Sequence, residues 1–434
     1  MRTTFVVVAC LFAISLGKIA VAQGPEISKN AGGQAKITID EAVDEAIRSN
    51  LSLLADRMSL PLAEATVITA ELRPNPVLTL TTERLDPGHK FFNNDAAGGP
   101  PEFSVRVDLP VELGNKRQLR TETAGYGREI AETRLLDSVR KLKLDVALAC
   151  IDVIEAKAKL ALAVDNLRTL EELVRVNQTK VSSGFTPQQE LTRSRVAMLQ
   201  FRSTVKRAEL ELATSKTRLQ NLLGRPTPSD DFDILGDLKL PLYGGELDPM
   251  ALQETALAAR PDVQSQERTQ ARSQSELKLQ LAQAIVDYTL GVEYRRVATN
   301  NPGSNFAGLF FSVPIPLFSR NQGEIARVRA EQEQLSRQAL ALKAQVFTEV
   351  KSAYQEFRST RDLVQSIEND LLQPAQQARD NSAYIYKAGA TTLVEFLDAQ
   401  RAFNETMQSY YEAQAAYRRA VLRLNNAVGK EVIS

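Results

Sequence analysis

The sequence has few of the residues that most often build chemical sites. It contains no tryptophan, one histidine, two cysteines and five methionines among 434 residues, and aromatic residues account for only 6%. These residues show no zinc- or copper-site spacing, and there is neither a phosphate-binding glycine loop nor a catalytic motif. We therefore expect a protein that is not an enzyme and needs no cofactor or bound metal. Basic and acidic side chains balance at 53 each, so the charge does not favour binding to nucleic acid.

The first 22 residues form a segment of their own. An apolar stretch from Phe5 to Gly17 is followed by Ala20-Val21-Ala22, which fits a signal-peptidase cleavage site. We expect residues 1–22 to be a secretory signal; a lipoprotein modified at Cys10 is the alternative. Cleavage would leave Cys150 alone, which excludes an internal disulfide and favours a packed thiol. No later stretch has 18 uninterrupted apolar residues, so no transmembrane helix is expected.

The remainder of the chain contains one pattern twice. Turns, helix ends and strand ends recur in the same order in the two halves, which predicts an internal duplication. The matching segments are 184–191 with 389–396, 222–224 with 427–429, 109–111 with 315–317, and 48–51 with 260–263.

Each copy is predicted to contain a helix, two strands, a long helix and a medium helix, so the fold is mainly α with a small β part. The predicted units are an N-terminal extension (23–38), a first repeat (39–224), a linker (225–247), a second repeat (248–429) and a C-terminal tail (430–434). The strands are expected at about 76–85, 102–112, 287–297 and 308–318, the long helices at about 115–182 and 320–387, and the medium helices at about 187–223 and 392–428.

The long helices have the most regular pattern. From Val139 to Val174, apolar residues alternate three- and four-residue spacing, which is a sustained heptad seam. A helix of the predicted length would be a rod of roughly 100 Å, longer than a globular core requires. The helices at about 51–73 and 187–223 together match this length, which predicts that they lie end to end beside it. Pro374 is expected to kink the second rod.

The strand segments alternate apolar and polar residues. Phe103 to Val111, Tyr288 to Tyr294 and Leu309 to Leu317 each place apolar side chains at every second position, as in strands of a membrane barrel. The loops at 86–101 and 298–303 are polar and rich in turn formers, which suits an external face. Four strands cannot close a barrel, so the chain must oligomerise. Two copies would give eight strands and three would give twelve.

The chain resembles the TolC-like outer-membrane factors of tripartite efflux and type I secretion systems. The resemblance rests on the duplicated plan, on Leu72-Arg73-Pro74-Asn75-Pro76 before the first strand, and on the glycine turns at 184 and 389. It implies a homotrimer with a twelve-stranded outer-membrane β-barrel, continued by a long periplasmic α-helical tunnel. It also implies contact with outer-membrane lipid, a periplasmic adaptor protein and an inner-membrane pump. Most of the chain would then lie in the periplasm of a Gram-negative-type cell.

Segment 109–117 is similar to the corresponding stretch of cobalt–zinc–cadmium type metal efflux components, although Asn115 stands where those sequences often have glycine. The function that we expect is therefore an exit duct of a resistance-nodulation-division type pump, exporting metal cations or small toxic compounds. The outer-membrane component of a type I protein-secretion system is an alternative. A soluble periplasmic coiled-coil scaffold is a further alternative from another class.

The resemblance also suggests functional positions. Acidic residues after the second glycine turn, Glu395 and Asp398, match a ring of carboxylates around the periplasmic entrance, where they would favour cations. Stabilisation of the helix N-terminus is a compatible local role. Tyr384 and Tyr386 are candidates for bonds across a closed entrance, or for packing. The hairpin tips expected to meet the adaptor comprise Gly184, Phe185, Thr186, Pro187, Gly389, Ala390 and Thr391.

Overall fold

The computed structural model describes residues 36–88, 92, 98–229, 231–298 and 304–433. The predicted signal segment, most of the N-terminal extension, the sole histidine (His89) and parts of the two polar loops lie outside the described residues. The described chain is mostly helical and includes a four-stranded sheet.

The helices and strands follow the duplicated plan. A short strand β1 (Lys36–Ile37) precedes the first repeat, whose elements are α1 (Ile39–Ser49), α2 (Leu51–Arg57), α3 (Ser59–Glu71), β2 (Val77–Glu83), β3 (Glu102–Val111), α4 (Lys116–Ser182) and α5 (Gln188–Leu222). After β4 (Asp233–Ile234), the second repeat contains α6 (Pro249–Ala259), α7 (Pro261–Gln283), β5 (Tyr288–Val297), β6 (Ser304–Ser312), α8 (Gln322–Ser366), a π-helical turn (Ile367–Leu371), α9 (Leu372–Lys387) and α10 (Leu393–Val428).

The long helix α4 spans 67 residues, which corresponds to roughly 100 Å. It begins after Asn115, whose φ of 58° lies in the left-handed region, and α8 begins after Asn321 with a φ of 60°. Glycine adopts this conformation without strain and asparagine tolerates it, which explains why asparagine can replace the usual glycine at position 115. The two junctions therefore share one backbone geometry.

The shorter helices complete a wall around the rods. Helix α4 contacts α3 and α5 of its own repeat and α7 and α10 of the other, while α8 contacts α7 and α10. Asn50 Nδ2, at the start of α2, donates to the carbonyl of Leu222 at 2.8 Å. Arg260 Nη1, at the start of α7, donates to the carbonyl of Ala427 at 3.2 Å. In each repeat the short helices thus meet end to end beside α4, and for the first repeat their lengths predict this arrangement.

These joints correct one detail of the predicted repeat. The sequence match pairs Asn50 with Asp262, because Arg48 was matched to Arg260. In the structure, Asn50 and Arg260 are equivalent, since each ends one helix in extended backbone and begins the next. Arg48 and Arg260 are the same residue type at different structural positions, and the break between helices defines the equivalent positions.

The linker is packed onto the body of the protein. Strand β4 pairs in parallel with β1, and Phe232, Ile234 and Leu238 are buried in a core with residues of α1, α4 and α5. The backbone N–H of Tyr243 donates to the hydroxyl of Tyr417 at 2.9 Å. The linker therefore holds the long helices together near their middle.

The second rod is interrupted where the sequence predicts a kink. A π-helical turn at Ile367–Leu371 joins α8 to α9, and Pro374 is the third residue of α9. Proline supplies no backbone N–H and its ring displaces the carbonyl of the preceding turn. A wider turn before Pro374 accommodates both effects.

The sheet has the order β2-β3-β5-β6, with antiparallel neighbours throughout. Directly paired residues share a face, so the register separates two rows. Leu78, Val107, Val292 and Leu309 form one exposed apolar row, and Thr79, Arg106, Glu293 and Gly308 form a row on the opposite face. The alternation in the sequence thus corresponds to one apolar and one polar face.

The fourth strand differs from its predicted position of about 308–318 and lies at Ser304–Ser312. Residues 304–307 join it because they pair with 294–297 of β5. In the first repeat, Leu109–Val111 pair with the start of β5. The corresponding Ile315–Leu317 have no partner strand within the described part of the chain, so they remain outside the strand.

Within the described ranges, no helix is both long enough and apolar enough to cross a bilayer.

Candidate channel-entrance site

The two hairpin tips lie side by side at the end of the rods. The turn at 184–187 joins α4 to α5, and the turn at 389–391 lies between α9 and α10. Lys180 Nζ, near the end of α4, donates to the carbonyl of Tyr386 in α9 at 3.3 Å. The structure therefore brings the predicted tip residues of both repeats to one end of the molecule.

Each tip glycine closes its helix in the same way. Gly184 has a φ of 75°, its N–H donates to the carbonyl of Val181, and the next N–H donates to Lys180. Gly389, with a φ of 79°, repeats this geometry. These paired bonds satisfy the last carbonyls of the helix. Beyond the first glycine, the side chain of Phe185 is 84% exposed.

Glu395 lies in the first turn of α10 and folds back onto it. Its N–H donates to Thr392 Oγ1 at 3.3 Å, and its carboxylate accepts from the backbone N–H of Thr392 and from the hydroxyl of Thr391. This is a capping box, so Glu395 has the expected local role at the helix N-terminus. The carboxylate remains on the surface.

Asp398 lies one turn further along α10. Its side chain is 64% exposed, with Arg401 Nη1 at 3.8 Å. Exposed ion pairs at this distance contribute little to stability. Glu395 and Asp398 therefore form an exposed acidic pair near the tip, and the pairing with Arg401 is weak.

The two candidate tyrosines occupy different environments. Tyr384 is 76% exposed, whereas Tyr386 is buried and its ring stacks on Phe396 at a centroid distance of 5.6 Å. The Tyr386 hydroxyl donates to Asn177 Oδ1 at 2.7 Å, and burial raises the pKa of this tyrosine. Tyr386 thus packs α9 against α4. Asn177 lies three residues after the heptad position Val174, so extending the seam would have indicated its burial.

The polar face of the sheet carries a second set of charged groups. Arg106 pairs with Asp108 at 2.8 Å, and its guanidinium lies 4.2 Å from the ring centre of Phe310. Gly291 makes room for this cluster, because a Cβ there would lie 2.4 Å from Asp108 Oδ1. Phe306 and Phe310 lie on this face because they pair with Arg295 and Gly291. The sequence did not identify these aromatic residues, since the alternation in β6 highlights Leu309 and Phe311.

The outer end of the polar face is also charged. Glu102 Oε1 lies 2.7 Å from Arg84, and Glu102 Oε2 lies 3.3 Å from Arg295. Arg295 also pairs with Glu293 at 2.9 Å. These ion pairs connect β3 with β5 and with the residue that directly follows β2.

Groups of histidine, cysteine, aspartate or glutamate suited to a metal ion are absent among the described residues. Cys150 is fully buried in the core around α1, α4 and the linker. Burial raises the pKa of its thiol to about 12. It is therefore a packing residue.

The fold, with its duplicated long helices and paired tips, is shared with TolC-like outer-membrane channels of known structure. A family model described as "Outer membrane efflux protein" matches residues 42–225 and 252–430, one segment in each repeat. The chain belongs to this outer membrane efflux protein family. It is 22% identical over 424 residues to the cobalt-zinc-cadmium resistance protein CzcC of Cupriavidus metallidurans, with 96% of each chain covered.

Solved structures share the fold. A crystal structure of CusC superposes with a TM-score of 0.73 at 21% identity, covering 93% of this chain and 96% of the other. The Campylobacter jejuni CmeC outer membrane channel gives a TM-score of 0.74 at 13% identity, covering 94% and 92%. These relatives are outer-membrane efflux channels and not enzymes.

Proposed function

We propose that the chain is the outer-membrane exit duct of a tripartite efflux system and works as a homotrimer. The main support for this proposal is that the sheet and the helical wall each have two free edges, and that the two edges could pair with each other between copies. The sheet ends at β2 on one side and at β6 on the other. The helical wall likewise ends at α3 and α5 on one side and at α8 and α9 on the other.

The sheet supports a head-to-tail ring. Within the chain, β3 of the first repeat pairs with β5 of the second. Repeating this junction between copies would pair β6 of one copy with β2 of the next. It would also give Ile315–Leu317 the partner that Leu109–Val111 already have. Three copies would close twelve strands, a number that agrees with the family resemblance.

The helices support the same arrangement. Within the chain, α4 packs against the short helices α7 and α10 of the second repeat. The same junction between copies would place α8 and α9 against α3 and α5 of the next copy. Exposed apolar side chains on these surfaces are available for it, namely Leu62 and Ile68 on α3, Val196, Leu199 and Leu210 on α5, and Leu340, Phe347 and Leu363 on α8. A heterologous contact that closes on itself forms a ring.

The two sheet faces then have separate roles. The apolar face would contact outer-membrane lipid, and the polar face with Arg106 and Glu293 would line the lumen. The rods would extend into the periplasm as a tunnel. The tips at 184–187 and 389–391 would meet a periplasmic adaptor, which links the duct to an inner-membrane pump.

The entrance would act as a coarse charge filter. Three copies would each bring Glu395 and Asp398 to one constriction, and a ring of carboxylates favours cations. Similarity to CzcC, a resistance protein for cobalt, zinc and cadmium, and to CusC, a cation efflux system protein, supports metal cations as cargo. The described residues contain no group of histidine, cysteine, aspartate or glutamate suited to a metal ion, so the choice among metals would reside in the pump.

Planar-bilayer recording of the purified full chain tests the proposal. The wild type should sediment as a trimer in detergent, conduct ions, and be blocked by a trivalent cation from the periplasmic side. In the double variant Glu395→Ala, Asp398→Ala, block by the trivalent cation should be at least about tenfold weaker, since each exposed carboxylate contributes Coulomb attraction at the ring. Glu405→Ala, an exposed carboxylate further along α10, is the matched control.

The outcomes separate the alternatives. A monomer that washes off membranes and does not conduct would support a periplasmic scaffold instead. If the trimer conducts and block is unchanged in the double variant, the proposed duct stands and the proposed carboxylate ring is wrong.

A further inference from the structure

The two long rods differ in one respect. Helix α4, described along its whole length, is α-helical from Lys116 to Ser182. The second rod changes to a π-helical turn at Ile367–Leu371, where the N–H of Leu372 reaches back to the carbonyl of Ile367. Counted from Asn115 and Asn321, the corresponding segment of α4 is 161–165, in the middle of its heptad seam. The duplication therefore leaves one rod continuous and one rod interrupted.

The interruption weakens the second rod between residues 367 and 374. Pro374 has no backbone N–H to donate to the carbonyl of Asp370, so one helical hydrogen bond directly after the turn is missing. Leu371 has a φ of −114°, well away from the ordinary helical value. The missing backbone bond and the wider turn at this point make a change of angle between α8 and α9 less costly than elsewhere in the rod.

A side-chain hydrogen bond joins the π turn to α10. The Tyr410 hydroxyl of α10 donates to Glu368 Oε1 within the π turn at 2.6 Å. Tyr410 is 9% exposed, and both burial and the neighbouring carboxylate raise its pKa, so the hydroxyl keeps its proton. A hydrogen bond to a charged acceptor in such a place is stronger than a neutral one. It fixes the π turn against α10.

The apolar core also changes here. One core cluster, which includes Val350, Phe357 and Val364, has Ile367 and Tyr410 as its last buried residues, with Leu372 and Met407 packed against it. A separate cluster around Tyr386 and Phe396 begins nearer the tip. The two clusters thus leave the intervening part of the α9–α10 hairpin with less apolar packing.

Buried amides occupy this gap. Gln400 Nε2 donates to Asn166 Oδ1 of α4 at 2.9 Å, and Asn404 lies one turn further along. Gln400 Oε1 and Asn404 Nδ2 lack hydrogen-bond partners within the described part of the chain. Because unsatisfied buried amides are costly, this layer holds α10 on α4 less firmly than an apolar layer would.

We propose that the π turn at 367–371 is a hinge between α8 and α9, and that the Tyr410–Glu368 hydrogen bond is the latch that holds it. When the latch opens, the part of the α9–α10 hairpin nearer the tip (372–404) shifts against α4 at the amide layer. Arg379, whose guanidinium lies 4.1 Å from the ring centre of Phe403, keeps α9 and α10 together during the shift. That this motion widens an entrance rests on the proposed function, whereas the hinge itself does not.

Hydrogen exchange followed by mass spectrometry on the purified full chain tests the hinge. Amides of 367–374 should exchange at least about tenfold faster than those of 161–168 in α4, because the local helix opens more readily. Tyr410→Phe should speed exchange in 372–387 by about tenfold, the effect of losing one charge-assisted hydrogen bond. Tyr411→Phe, the adjacent tyrosine on the same helix, is the control and should leave these rates unchanged.

Pro374→Ala should change the exchange rate in the opposite direction. It restores a backbone donor, so exchange in 367–374 should slow by several-fold. A general loss of stability would instead speed exchange in both variants and along the whole of α10.

Equal wild-type rates in 367–374 and 161–168 would overturn the hinge. So would Tyr410→Phe and Pro374→Ala changing exchange in the same direction. Should Tyr410→Phe fail to fold, Glu368→Gln keeps the size of the acceptor and weakens the same bond, with the same expected direction. Exchange does not require conduction, so a chain with these rates but no channel would refute the proposed function and leave the hinge intact.

Discussion

Asn50 and Arg260 occupy equivalent joints, each donating to a carbonyl at the end of its repeat's last helix, Leu222 in one case and Ala427 in the other. Their chemistry differs. The Asn50 amide is neutral, whereas the Arg260 guanidinium is 4% exposed and lies 2.6 Å from both Asp262 and Glu349. The same joint is thus held by a polar contact in one repeat and by an ion-pair network in the other.

Replacing the joint residue by alanine should therefore lower the free energy of unfolding more in the second repeat than in the first. Arg260→Ala leaves two carboxylates without their cation, and we expect a loss of about 3–5 kcal/mol. Asn50→Ala removes neutral hydrogen bonds and should cost about 1–2 kcal/mol. Denaturant unfolding followed by circular dichroism would compare the two variants, and an equal or reversed cost would contradict the assignment.

The ion pair at this joint should also make stability depend on pH. Burial raises the pKa of the Asp262 carboxyl, but the bond from Arg260 outweighs it and holds the pKa below the ordinary value. A lowered folded-state pKa gives stability that is present above about pH 4 and is lost as the pH falls through the lowered value. Asp262→Asn should therefore unfold at a lower temperature at neutral pH and respond less to acid. Parallel melting curves between neutral pH and pH 3 would check this, and an unchanged acid response would count against it.

Two glycines with the same backbone conformation should respond differently to alanine. Gly184 and Gly224 have φ values of 75° and 76°. A Cβ at Gly184 meets nothing within 4 Å, whereas one at Gly224 would lie 2.1 Å from the carbonyl oxygen of Ser49. Gly184→Ala should cost roughly 1–2 kcal/mol through backbone strain. Gly224→Ala should cost about 1–3 kcal/mol more, because the joint between α1 and α2 must move. Thermal unfolding of both variants measures the difference, and matching costs would rule out tight packing at Ser49.

The cysteine should be inert until the fold opens. Cys150 is fully buried, and its thiol has a pKa raised to about 12 by burial. Maleimide should leave it unlabelled at neutral pH and label it once denaturant is added, since the thiolate is the reactive form. Ser183→Cys in a Cys150→Ser background supplies an exposed tip thiol as the positive control. Rapid labelling of native Cys150 would mean that this core opens far more readily than its packing indicates.

The two roles of Glu395 can be separated by one pair of variants. Glu395→Gln keeps an acceptor for the capping box, so stability should hold while the proposed cation block weakens. Glu395→Ala removes both, and α10 should lose about 1 kcal/mol as well. Block and thermal unfolding measured on the same preparations would distinguish charge from capping. Equal block in wild type and Glu395→Gln would assign this residue to capping alone.

Sequence patterns indicate the regular parts of the fold because each has its own period. The unbroken heptad spacing from Val139 to Val174 locates a long helix, and the strict alternation from Phe103 to Val111 locates a strand with two unlike faces. Gly184 and Gly389 signal helix ends for a local reason, since both need a positive φ. These features depend on residues close together in the chain.

The remainder depends on contacts between distant segments. Strand β6 could not be delimited, because its extent depends on which residues find a partner strand. Tyr386 and Tyr384 have similar sequence surroundings, yet one is buried against Asn177 and the other is exposed. A carboxylate ring cannot be derived from one chain at all, because it is formed by neighbouring copies. Glu395 and Asp398 therefore remain a proposal.

The unpaired edges at β2 and β6 also bear on how the cell makes this protein. Until the proposed ring closes, each edge presents backbone donors and acceptors to any other strand, and the exposed apolar row beside them adds attraction. We expect newly exported chains to need chaperones that shield these strands in transit, and a proteolytic system that removes chains left unassembled. Overproduced protein should accumulate in inclusion bodies before it accumulates in the membrane, because aggregation and closure of the proposed ring would compete for the same two edges.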